Sequence, residues 1–98
     1  MFAVIFTAEI AEIDAEYSQT AQRMRELALE EYGCLDFIST TEGALEIAIS
    51  YWKTRGDIEA WKQNAEHLLA QNAGRHRWYR SYKVEIVEIL NEYRSPGP

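Results

Sequence analysis

The chain opens on Phe-Ala-Val-Ile-Phe-Thr-Ala-Glu, residues 2–9, with β-branched and aromatic side chains on both alternating faces. That pattern predicts a central strand covered on both sides. Ile10 to Asp14 is the only loop-like stretch before the next element. From Asp14, a suitable N-cap, the residues Tyr17, Ala21, Met24, Leu27 and Ala28 recur at three- and four-residue steps. They predict a helix to about Tyr32, which Gly33 stops with a left-handed turn. Cys34 to Thr41 reads as a short strand, Glu42-Gly43 as a turn, and Leu45 to Trp52 as the second arm of a hairpin. In that arm Leu45, Ile47, Ile49 and Tyr51 share one face; Glu46, Ala48, Ser50 and Trp52 share the other. Which face is inside stays open.

Thr54-Arg-Gly-Asp57 matches a capping box, and Ile58, Trp61, Ala65 and Leu68 continue with helical spacing. Asn64 is a point where this region could split into two shorter helices, and Asn72-Ala-Gly74 ends it. The last strand runs from Tyr82 to about Leu90. Its apolar residues switch faces between Ile86 and Val87, as a bulge or burial on both sides would require. Residues 94–98 read as a disordered tail, leaving 1–93 as one domain. Strand, helix, strand, strand, helix, strand then folds through right-handed crossovers into a four-stranded antiparallel sheet with both helices on one face. This is an α+β, ferredoxin-like βαββαβ fold. The other face is left apolar and uncovered, and a homodimer is expected to bury it.

Composition sharpens this picture. Apolar residues make up 47% of the 98, and 3 Trp, 6 Tyr and 3 Phe are many for so short a chain. A second subunit or a lined cavity would absorb them. The net charge of −6 argues against nucleic acid or an anionic membrane as the main partner. Cys34 stands alone and can close no internal disulfide, which fits a reducing compartment. The longest apolar run, Phe2 to Phe6, is too short to span a membrane, and no basic-then-apolar leader precedes the first strand. A cytoplasmic protein is expected.

Residues 45–93 carry a more specific signal in EIAISYWKT (46–54), IEAWK (58–62), AEHLLAQ (65–71) and GRHRWYRSYKVEI (74–86). In that order and spacing they resemble the antibiotic biosynthesis monooxygenase family, and the N-terminal half fits in length and pattern. The resemblance implies a dimeric α/β barrel. It also implies an oxygen-using enzyme that needs no cofactor and oxidises the phenolic ring of a small aromatic or quinol-type molecule. A non-catalytic dimeric binding or stress-related protein of the same fold is the alternative. The family's haem-degrading branch uses a helix Trp, a His about ten residues later and an Asn on the first strand. Trp61 matches that Trp, but Gln71 stands at the His position and the first strand has no Asn.

On the cofactor-free reading, His67 is the candidate base, because imidazole titrates near neutrality. Trp61 would stack on a planar ligand, and Trp52 or Tyr51 would line the cavity, according to which sheet face is inside. Tyr79 or Arg75 would stabilise a phenolate. Each has a plainer explanation: Trp61 as core, His67 as a surface or satisfied histidine, Trp52 and Tyr51 as packing. Arg75 to Arg80 is a basic, aromatic hexamer that superficially suggests nucleic acid. The first 31 residues carry seven acidic side chains and two Arg, so pairing of charges between elements or subunits is the expected use. The chain has no CxxC, HExxH, glycine-rich phosphate loop or GxSxG, and its two His and one Cys lack metal-ligand spacing.

Overall fold

A computed structural model describes residues 1–71 and 77–97, with the side chains of residues 69–71 left out. The elements are β1 (Phe2–Ile10), α1 (Ala15–Glu30), β2 (Asp36–Glu42), β3 (Leu45–Trp52), α2 (Arg55–Gln71) and β4 (Tyr79–Glu88). The sheet is antiparallel in the order β2-β3-β1-β4, so the first strand is central. This is the ferredoxin-like arrangement expected from the sequence. Asn72-Ala-Gly74 and Arg75 lie outside the described residues.

Local chemistry explains the boundaries. The Tyr17 N–H donates to Asp14 Oδ1 at 2.8 Å, which caps α1 and holds that carboxyl below its usual pKa. Gly33 takes φ +79°, and the Cys34 N–H then reaches back to the Ala28 carbonyl at 2.9 Å. Gly43, at φ +60°, turns the hairpin. The Asp57 N–H donates to Thr54 Oγ1 at 3.2 Å, half of the expected capping box.

Three expectations need correction. The second helix is continuous from Arg55 to Gln71 and does not break at Asn64. The Asn64 amide donates to Tyr32 Oη on the neighbouring segment, so it does not compete for its own backbone. The last strand begins at Tyr79, three residues early, because Tyr79 pairs with Ile10. The register shift falls at that end, between Glu9 and Ile10, and not at Ile86-Val87. Ile86 lies opposite Val4 and Val87 opposite Ala3, so the two simply point to opposite faces.

The core lies between the sheet and the helices. Val4, Ala28, Cys34, Trp52 and Ile58 form one buried cluster, with Phe2, Phe37, Trp61 and Ile86 against it. A second cluster gathers Ala8, Tyr17, Trp78 and Tyr79. The far face carries Ile5, Ile38, Ile47, Ile49 and Tyr51 from β1, β2 and β3 with no helix over them, and Ile38 is 51% exposed. Among the described residues no helix is long and apolar enough to cross a membrane.

Candidate active site

Strand register builds a floor in rows on the helix-facing side. Phe37, Ser50, Val4 and Ile86 form one row; Ser39, Ala48, Phe6 and Val84 the next; Thr41, Glu46, Ala8 and Tyr82 a third. Small side chains at Ser39 and Ala48 leave space under the helices. The result is a cavity of about 350 Å³ between sheet and helices, within the range of small-molecule sites. Ala21, Met24 and Arg25 of α1 and Ile58, Trp61 and Ala65 of α2 make its roof. The helices cover β4 least. Tyr82 and Val84 line the cavity and are still 41% and 42% exposed, so it opens along β4.

One end of this space is walled by fixed aromatic rings. Trp61 packs at 5.3 Å from Trp52 and edge-on at 6.2 Å from Phe37. Its Nε1–H donates to the Met24 carbonyl at 2.9 Å, tying α2 to α1 and setting the indole's orientation. Behind it, Trp52 is fully buried and donates to Ser50 Oγ at 2.8 Å.

The other end is polar. Tyr79 sits among Phe6, Tyr17 and Tyr82, with ring centroids 5.4, 6.1 and 5.8 Å away. Glu46 enters the same wall from β3. Glu46 Oε2 and Tyr17 Oη are both buried, and neither completes a hydrogen bond. Burial foremost, then the nearby Glu46 carboxylate, pushes both the Tyr17 and Tyr79 phenols well above their ordinary value of 10.0. Both stay neutral donors at any physiological pH.

Those shifts make a stability prediction. In the unfolded chain the phenols ionise near pH 10, whereas in the fold they keep their protons to higher pH. Their contribution is therefore fully present below about pH 10 and is lost as pH rises beyond it. The expected loss is at most about 1.4 kcal/mol per pH unit for each phenol. Urea midpoints of Tyr17→Phe between pH 8 and 11 should fall less steeply than those of the parent; identical slopes would refute the assignment.

The residues singled out from sequence separate into groups. Trp61 and Tyr79 line the cavity from opposite ends. Trp52 supports the wall from behind, and Tyr51 points to the far face, opposite Ala3 and Asp36. His67 is exposed and is not on the cavity wall. An unbroken helix explains why: nine residues beyond Ile58, it stands about 180° round α2 from the cavity-facing stripe. Within the nearby basic hexamer, Arg77 pairs with Glu16 at 2.8 Å and Asp14 at 3.5 Å, and Arg80 with Glu9 at 3.1 Å. These are charge pairings between elements.

Sequence reasoning passed over Glu46 and took Tyr17 for part of an apolar stripe. A signal was available. A charged residue sharing a strand face with Ala48 and Ser50 marks a face that does not fill its own space.

No family model matches the chain. It is 37% identical over 89 residues to the uncharacterised protein YqjZ of Bacillus subtilis (strain 168), covering 90% of this chain and 78% of YqjZ. It superposes on SnoaB, a cofactor-independent oxygenase from Streptomyces nogalater, with TM-score 0.75 and 11% identity, over 96% of this chain and 97% of SnoaB. A crystal structure of an antibiotic biosynthesis monooxygenase matches with TM-score 0.70 and 14% identity, over 93% of this chain and 100% of that one. Identities this low speak to fold, whereas the likeness to YqjZ marks kinship. This chain belongs to the family that includes YqjZ, and it is built on the fold of the antibiotic biosynthesis monooxygenases.

Proposed function

We propose that this protein is a monooxygenase that uses O₂ without a bound cofactor to oxidise a small, planar hydroxyaromatic or quinol-type molecule. The observation that carries the reading is the cavity, with flat rings fixed at one end and hydrogen-bonding groups at the other. The fold shared with SnoaB, described as a cofactor-independent oxygenase, supports it.

Such a substrate supplies most of the chemistry. Once deprotonated, an electron-rich ring can pass one electron to O₂, the superoxide formed recombines with the ring radical at carbon, and the peroxide anion takes a proton back. At an anthrone-type CH₂ carbon the resulting hydroperoxide loses water, leaving a carbonyl. One O₂ is consumed, with one oxygen atom retained and the other released as water. The protein's part is to hold the ring, exclude water and stabilise the oxyanion. Trp61 would form the stacking wall, and Tyr79, kept neutral, would donate to the oxygen. His67 has no place in this scheme, since it lies across α2 from the cavity.

We infer also that two copies pair across the uncovered sheet face. Ile5, Ile38, Ile47 and Ile49 form a self-complementary aliphatic surface, with the Lys83–Glu85 pair toward the β4 edge.

The test is oxygen uptake with dithranol and menadiol in chelator-treated buffer. The expected result is a saturable rate above buffer, consuming one O₂ per dithranol converted. Rates equal to buffer across both substrates would remove the oxygenase reading for this class, and binding without uptake would leave a binding protein.

A further inference from the structure

The polar end of the cavity has an unmet requirement. Glu46 Oε2 is buried without a hydrogen bond, and no ion pair among the described residues reaches the carboxylate. Leaving a carboxylate oxygen dry and unpaired is costly, so such groups in folded proteins call for an explanation. Tyr17 is the nearest relief. Tyr17 Oη, however, itself completes no hydrogen bond and leaves Oε2 without a donor. Tyr79, the other neutral phenol near this carboxylate, is a donor of the same kind.

The placement is specific. Glu46 lies in the row Thr41, Glu46, Ala8, Tyr82, next along β3 on the same face from the small Ala48, and both Glu46 and Ala48 line the cavity. Buried Tyr17 and Tyr79 hold the surroundings in place by packing edge to face, at 6.1 Å between centroids. A flat molecule reaching from Trp61 would bring its far edge to this carboxylate.

We propose that Glu46 is the specificity-determining acceptor of the cavity. It takes the hydrogen bond of a ligand hydroxyl, so the site selects aromatic molecules carrying a free O–H and rejects their ethers. Tyr17 is a positioning residue, its buried phenol set beside the carboxylate. This inference rests on the reading above that the cavity binds planar aromatic molecules.

Isothermal titration of the full-length protein with 2-naphthol and with 2-methoxynaphthalene tests it, since the ether keeps the ring and loses the donor. The parent protein should bind the naphthol roughly tenfold more tightly, as a charge-assisted hydrogen bond would produce. Glu46→Gln should bring the two affinities within about threefold by weakening naphthol binding alone. Tyr17→Phe should lower the preference in part and leave ether binding unchanged. Equal binding of both ligands by the parent would overturn the role of Glu46 while leaving the aromatic site standing. If neither ligand binds, the aromatic reading fails, and the inference with it. The comparison in the parent decides the matter even if a variant does not fold.

Discussion

On the proposed pairing, Ile49→Glu is expected to leave a single folded chain where the parent sediments as a pair. Ile49 lies at the middle of the far face, opposite Ile5 on one side and Ile38 on the other. In a lone subunit a glutamate there meets water and costs little. In a two-fold pairing each copy brings the charge to the same oily contact, so the cost is counted twice. A weakening of roughly a thousandfold in Kd, about 4 kcal/mol, is the expected scale. Sedimentation velocity at micromolar concentration reads it directly, with circular dichroism to confirm that the helices remain. A parent protein that already sediments as one chain would contradict the pairing.

This same face shows why the sequence left the inside of the sheet undecided. Residues facing the core are ordinarily the more aliphatic ones, and in β3 that rule selects Ile47 and Ile49. The fold instead turns Glu46, Ala48, Ser50 and Trp52 to the helices. Small and polar side chains there leave a cavity to be filled, while the isoleucines face outward. Alternation revealed two faces; only the helix packing distinguished them.

Other features were legible because they are local. Asp14 as a cap, the Gly33 stop, the hairpin turn and the bounds of β3 follow from backbone chemistry over a few residues. The start of β4 was not local, since Tyr79 becomes a strand residue only by pairing with Ile10. The site followed the same division. Trp61 stood out by its motif and does line the cavity. His67 stood out by its chemistry, but an unbroken helix carries it away. Tyr17 and Glu46 are far apart in the chain, and nothing near either residue announces that they meet.

Trp61→Ala should have the second large effect, acting on both stability and binding. The change removes the bridge to the Met24 carbonyl and the ring packed between Trp52 and Phe37. A cost of about 2–4 kcal/mol is expected in urea unfolding, a large share of the stability of a domain this size. In the folded fraction, affinity for 2-naphthol should fall at least tenfold, because the stacking wall is gone. Trp61→Phe keeps a ring and should recover most of the binding while losing about 1 kcal/mol.

The central claim is that the space between sheet and helices is where a planar aromatic molecule sits. A nitrogen-15 correlation spectrum of the parent protein, titrated with 2-naphthol, tests this most directly. The Trp61 indole N–H signal should move saturably together with the amides of Ala48 and Val84, while those of Ile38 and Tyr51 stay in place. An unmoved Trp61 signal at saturating ligand, or shifts confined to the Ile38 and Tyr51 face, would contradict the account.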